Sequence, residues 1–233
     1  MGTVEAALAI GLPLYNLLAN RWPPFNKAPY VPMNLALTGI ALLLAFGPLG
    51  LSRVDLFGDG DLRSAAFGIL LGVLATIPLF VLSFWERGAR LVRDQRVAHL
   101  TGRALAYQVL VRIPLGTALA EELVFRGVLL ATWTSSGTTE AVIWSSLVFG
   151  LWHVGPTINL VRANNPDASL GVTLRTVAGA VVFTSIAGIL FARLRIEVGL
   201  MGPLFMHTTV NGLATIASVH ASRRLDASVT SPG

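Results

Sequence analysis

Cysteine is absent from the 233 residues. Disulfides, thiolate nucleophiles and cysteine metal sites are therefore excluded. Charge is scarce too: Asp, Glu, Lys and Arg make up 12% of the chain, about half the share of a soluble domain. Lysine is nearly missing, with sixteen arginines against one lysine. There is no internal repeat, no polar stretch long enough for a second soluble domain, and no leader pattern with a small-residue cleavage site. The first apolar run is thus expected to stay as a membrane segment. In place of charge the chain has 54% hydrophobic residues and a mean hydropathy of +0.69. Long apolar runs at that composition describe a polytopic membrane protein. The net charge of +5 is read as positive-inside anchoring, not as nucleic-acid binding.

Apolar runs fall at roughly 4–20, 33–51, 64–85, 105–132, 140–159, 171–192 and 198–219. Each approaches the roughly 20 residues of a spanning helix. The expected fold class is an all-α polytopic transmembrane helix bundle of seven spans. An eighth span is the alternative count; the fourth run is too long for one straight helix, and Arg112 and Pro114 set off 103–113 as a separate interfacial piece before the Glu-bearing span. Glu5, Pro13 and Asn16 weaken the first run. Trp22, Trp85 and Trp133 lie at run ends, where an aromatic belt is expected. Gly68 and Gly72, and Ala180, Thr184 and Gly188, have the four-residue spacing that lets helices approach closely.

The loop at 86–103 holds Arg87, Arg90, Arg93, Arg96 and Arg103 and is the best cytoplasmic candidate. Seven spans put Arg21, Lys27, Arg162, Arg223 and Arg224 on that same side, and Arg53, Arg63, Arg193 and Arg195 on the other. Ten against four places the N-terminus outside and the C-terminus in the cytoplasm. The expected organisation is a single membrane domain: spans and a basic loop over 1–104, a helical core over 105–219, and a polar tail over 220–233 that is disordered after Ser222.

Against this apolar background three polar groupings stand out. Glu121, Glu122 and Arg126 share about two helical turns. An intramembrane carboxylate is costly and needs a partner, which marks it as functional. Glu122 and Arg126 stand at i and i+4 with the acid first, the favourable order for an ion pair. Glu121 lies about 100° round the helix, so it needs a different partner, a histidine or water. A glutamate in such a site can serve as general base on water. His153 follows Phe149 by one turn on the same face. His207 and Asn211 are also i and i+4, and their N–H groups could donate to an oxyanion. Taken alone, Glu122 and Arg126 read as an ion pair that locks helices together, and His153 as a hydrogen-bonded packing residue. His207 with Asn211 has interhelical hydrogen bonding as its plainer reading, and Glu121 reads as chemistry.

The ordered set Glu121-Glu122-x-x-x-Arg126, Phe149-x-x-x-His153 and His207-x-x-x-Asn211 resembles the type II CAAX prenyl endopeptidase and bacteriocin-processing (CPBP, or Abi) family of intramembrane glutamic proteases, over about residues 105–215. The resemblance implies a catalytic core of that type at 105–219. It implies that Glu121 and His153 activate a water for attack on a peptide carbonyl, and that His207 and Asn211 stabilise the oxyanion. Glu122 and Arg126 would hold the site together, with Phe149 packed beside it. It implies no cofactor and no metal. The partners it implies are the lipid bilayer and a peptide or prenylated protein substrate, without nucleic acid. The arginine bias leans towards a bacterial cell membrane.

Other chemistry fits less well. One carboxylate and two histidines could hold zinc, but no His-Glu-x-x-His is present and Asn211 is a poor ligand. No Gly-x-Ser-x-Gly elbow supports a serine hydrolase. Asp55, Asp59 and Asp61 lack the full EF-hand pattern and read as a solvated turn. Two functional rivals remain: a non-catalytic membrane scaffold or immunity protein, and a small proton-coupled transporter, which also uses intramembrane Glu and His but usually shows inverted repeats of broken helices.

Overall fold

In the computed structural model, residues 3–21 and 29–230 are described. Among them every regular element is a helix and there is no strand. Helix α1 (Thr3–Arg21) and α2 (Tyr30–Phe46) precede a short α3 (Arg53–Phe57), then α4 (Leu62–Ser83) and α5 (Glu86–Val92). A continuous helical rod follows from residue 102 to 133. It contains α6 (Gly102–Tyr107), a π-helical stretch at Gln108–Ala118, α7 (Leu119–Glu122), a second π-helical stretch at Leu123–Leu129, and α8 (Leu130–Trp133). Helices α9 (Thr138–Trp152) and α10 (Val154–Asn164) meet at His153, and two long helices, α11 (Leu170–Val198) and α12 (Met201–Thr230), complete the chain.

Among the described residues, three helical stretches are long and apolar enough to cross a membrane: Arg53–Ser83, Thr138–Asn164 and Leu170–Val198. The surface suits that setting. Leu43, Leu70 and Phe183 on α2, α4 and α11 are exposed, while Thr76, Ser145, Ser146, Glu122 and Arg126 are buried. Apolar side chains outward and polar ones inward is the arrangement expected where lipid replaces water as the surrounding solvent. Helices associate there through close packing at small residues. Gly68 and Gly72 of α4 face α12; a methyl at Gly72 would lie 2.7 Å from the Thr209 Cβ. Gly188 of α11 lies against Ser146 of α9, where a methyl would come within 2.9 Å of the Ser146 Cβ.

The connecting segments gather at two ends. At one, Leu200 N–H donates to the Phe57 carbonyl at 2.8 Å, and Arg195 Nη2 donates to the Asp55 carbonyl at 2.8 Å. Gly199, at φ 76°, makes that turn without the penalty a side chain would bring. At the other end, Asp94 N–H donates to Ser218 Oγ at 2.8 Å, Gln95 N–H to Asn164 Oδ1 at 3.0 Å, and Asn159 Nδ2 to Asn20 Oδ1 at 3.1 Å. The basic 86–103 loop, the α10 end, the α1 end and the last part of α12 therefore lie together. The loop charges sort the chain in the same way. Lys27 and Trp22 fall outside the described residues.

Several sequence expectations are corrected. Residues 103–113 are not a separate interfacial piece: the rod passes through Arg112 and Pro114 unbroken. Proline lacks an N–H and crowds the preceding turn of an α-helix. The π-helical stretch around Pro114 has a wider turn, which accommodates it. Trp133 is buried within the main apolar cluster and does not sit in an exposed belt, whereas Trp85 is exposed. The tail is helical to Thr230. Ala221 and Leu225 continue an apolar stripe past Ser222 and pack against Ala89 and Val92 of α5. The acidic turn is solvent-exposed as expected, and it also caps helices: Ser52 with Asp55, and Asp61 with Ser64, form capping boxes at the starts of α3 and α4.

Candidate active site

Helix α7 is four residues long and sits between the two π-helical stretches. Its two glutamates point about 100° apart and reach different surroundings. Glu122 is 0% exposed. Its Oε1 accepts from Arg126 Nη1 at 3.3 Å and lies 2.7 Å from His207 Nδ1; with the carboxylate ionised, that nitrogen is the donor. The Arg126 guanidinium is 4.0 Å above the Phe149 ring and 5.1 Å from Phe191, and Nη2 donates to the Gly188 carbonyl at 3.4 Å. A buried cation is thus held by a carboxylate, a carbonyl and two aromatic faces.

Glu121 is 7% exposed. Its Oε1 accepts the Trp152 indole N–H at 3.1 Å. Its Oε2 has no hydrogen-bond partner, and His207 Nε2 stands 3.8 Å from it. His207 therefore lies between the two carboxylates, its ring stacked on Phe191 at 5.3 Å. Two carboxylates, one guanidinium and one imidazole balance in charge when the imidazole holds both its protons.

His153 occupies the break between α9 and α10. Its Nδ1 is 2.8 Å from the Phe149 carbonyl. A carbonyl only accepts, so Nδ1 carries a hydrogen and Nε2 is the nitrogen left for other partners. The break is pinned from α1, where Asn16 Nδ2 donates to the Trp152 carbonyl at 2.6 Å.

A cavity of about 820 Å³ opens beside these groups, within the usual range for ligand sites. Glu121, His153 and Asn211 line it together. Glu122, Arg126, Phe149 and His207 form the layer behind and do not line it. The rod contributes Gln108, Arg112, Thr117 and Glu121 to one wall. At α-helical winding Gln108 and Glu121, thirteen residues apart, would point about 140° from one another. The wider π turn, closed by i to i+5 bonds, brings them to one face. No three His, Asp or Glu side chains among the described residues are grouped so as to hold a metal ion.

Sequence reasoning did not find Trp152, Asn16 or Arg112 as parts of the site. Asn16 and Arg112 did carry a signal, being polar side chains within apolar runs, although both read as interruptions. Trp152 carried none beyond standing next to His153.

A helical bundle with an apolar exterior, whose buried acids and imidazoles border a polar cavity, defines a polytopic membrane protein with an internal polar site. Residues 103–213 match the family model described as type II CAAX prenyl endopeptidase Rce1-like. The chain thus carries an Rce1-like domain and is an integral membrane protein, and the matched stretch runs from before Glu121 to beyond Asn211. No curated protein and no solved structure matches the chain.

Proposed function

We propose that the protein is an intramembrane endopeptidase that hydrolyses a peptide bond with a water activated by Glu121 and His153. The observation that carries this reading is the Glu121 Oε2 atom, buried, without a hydrogen-bond partner, on a residue that borders the cavity. Glu121 takes a proton from the water as its oxygen attacks the scissile carbonyl carbon. His153 Nε2 accepts the water's second hydrogen and so fixes its orientation. The carbonyl electron pair moves onto oxygen; Asn211, on the cavity wall, donates to that oxyanion, and His207 supports it from the layer behind. The oxyanion's electron pair returns as the carbon–nitrogen bond breaks and the proton held by Glu121 passes to the leaving nitrogen, which leaves a carboxylic acid and an amine; the acid's proton then passes to the amine, giving carboxylate and ammonium. Trp152 keeps one Glu121 oxygen occupied, which leaves the other as the oxygen without a hydrogen bond. Glu122, paired with Arg126, holds His207.

The Rce1-like match supports a CAAX-type substrate, a prenylated protein or a membrane-borne peptide cut near its C-terminus. The cavity is bordered by Val97 and Leu100 of the basic loop, so its mouth faces the cytoplasm if the positive-inside rule sets orientation. In this reading α1, α2, the 102–133 rod and α12 cross the bilayer beside the three apolar stretches, which gives the seven spans expected from sequence.

Cleavage of farnesylated CAAX peptides and their unprenylated controls by purified protein in detergent tests the proposal. Glu121→Gln removes the base while keeping the size of the side chain. Turnover is expected to fall by about 10²–10⁴-fold, with the thermal midpoint retained and with no sensitivity to a chelator. Turnover in Glu121→Gln equal to that of wild type would sink the mechanism.

A further inference from the structure

Four charged residues line the cavity: Asp94, Arg96, Arg112 and Glu121. Asp94 and Arg96 pair with each other at 2.7 Å. Glu121 has the Trp152 indole and His207. Arg112 alone faces no carboxylate among the described residues. Its Nη1 donates to the neutral Gln108 Oε1 at 3.2 Å, and its guanidinium lies 4.0 Å over the Tyr30 ring. A half-buried cation in a membrane protein that lacks a counter-ion is costly. The stack also has a geometric consequence. A ring under the flat face holds the guanidinium plane while leaving its N–H edge free for a two-pronged acceptor. Gly116 permits the stack, because a methyl there would come within 3.1 Å of the Tyr30 ring.

We infer that Arg112 binds the free C-terminal carboxylate of the peptide substrate and so measures how far from the chain end the bond is cut. Arg112 and Glu121 are nine residues apart on the rod and border one cavity. Nine residues advance about 13.5 Å along the axis at α-helical rise, and less where the winding is π. Three extended peptide residues span about 10–11 Å. A carboxylate seated on Arg112 therefore leaves the carbonyl three residues upstream beside Glu121. A planar carboxylate is the acceptor that matches a guanidinium fork, and an amide-capped end cannot replace it. Arg112 is a positioning residue in this scheme and takes no part in bond making.

The inference rests on the peptidase reading above, and the test keeps the two apart. Glu121→Gln protein in detergent is titrated with fluorescent farnesylated peptides that end either in a free carboxylate or in an amide, and affinity is read by anisotropy. The acid is expected to bind about tenfold or more tightly than the amide. Arg112→Gln should abolish that preference, and Arg112→Lys, which keeps the charge but not the fork, should retain part of it. Equal affinity for the two peptides, or no binding of either, would overturn the inference, as would a preference that survives Arg112→Gln. The acid-to-amide ratio in the parent protein involves no change at Arg112, so it stands however the variant folds. Turnover by wild type is scored separately. A binding preference without cleavage would remove the peptidase reading and leave the carboxylate site, and cleavage without preference would do the reverse.

Discussion

Replacing Arg126 with methionine removes the cation from the most buried ion pair among the described residues while roughly keeping the length of the side chain. Arg126 is 2% exposed and Glu122 is 0% exposed, so neither charge reaches solvent. Breaking a buried pair by removing one partner costs about 3–5 kcal/mol, because the other charge is left uncompensated. His207 remains 2.7 Å from the same Glu122 oxygen, which favours the lower part of that range. For a chain of this length each kcal/mol moves the thermal midpoint by about 2–4 °C, so a drop of roughly 6–16 °C is expected in detergent. Glu122→Gln combined with Arg126→Met leaves no unpaired charge at this position and should recover at least half of the loss, a coupling that the double-mutant cycle isolates. Intrinsic fluorescence during heating reads all the variants. An Arg126→Met midpoint within about 2 °C of wild type, or a double variant that is simply the sum of the two singles, would refute the assignment of Glu122 and Arg126 as a coupled buried pair.

Two further outcomes follow from the geometry. Trp152→Phe removes the N–H donated to Glu121 Oε1 at 3.1 Å; a buried acceptor left without its donor is worth about 1–3 kcal/mol, so kcat/KM should fall by about 10–100-fold, and unchanged kinetics would remove Trp152 from the site. Gly72→Ala places a methyl 2.7 Å from the Thr209 Cβ and 3.0 Å from the Met206 carbonyl oxygen, and overpacking of that kind costs about 1–3 kcal/mol; Gly39→Ala, with nothing within 4 Å, should leave the thermal midpoint level or raise it, and equal effects of the two would deny the close α4–α12 approach.

The ion pair of Glu122 and Arg126 was legible because it is local: helix periodicity alone sets which residues meet at i and i+4. The close approach at Gly68 and Gly72 was legible for the same reason, since a small residue every fourth position makes a flat stripe on one helix. The winding of the rod was not. Spacing is read at 3.6 residues per turn, and nothing in Gln108–Ala118 announces i to i+5 bonds, so Pro114 read as an end instead of a widened turn. Trp133 looked like an interfacial anchor because it ends an apolar run, but its burial is decided by α9 and the short segment after it. The partners of Glu121 are long-range, an indole from α9 and an imidazole from α12, and sequence spacing cannot pair side chains across helices.

The cavity has one more consequence. Tyr15, Asn16, Tyr30 and Asn34 help enclose it, and all four precede residue 103, where the Rce1-like match begins. The groups proposed to perform the chemistry and a large part of the chamber's lining are thus inherited from different portions of the polypeptide. Divergence in the early helices can reshape what the chamber admits while the reacting groups stay untouched. Grafting α1 and α2 from a homologue onto this rod would then transfer substrate preference without transferring mechanism, whereas residues 103–213 produced alone would present their acids and imidazoles on an open face.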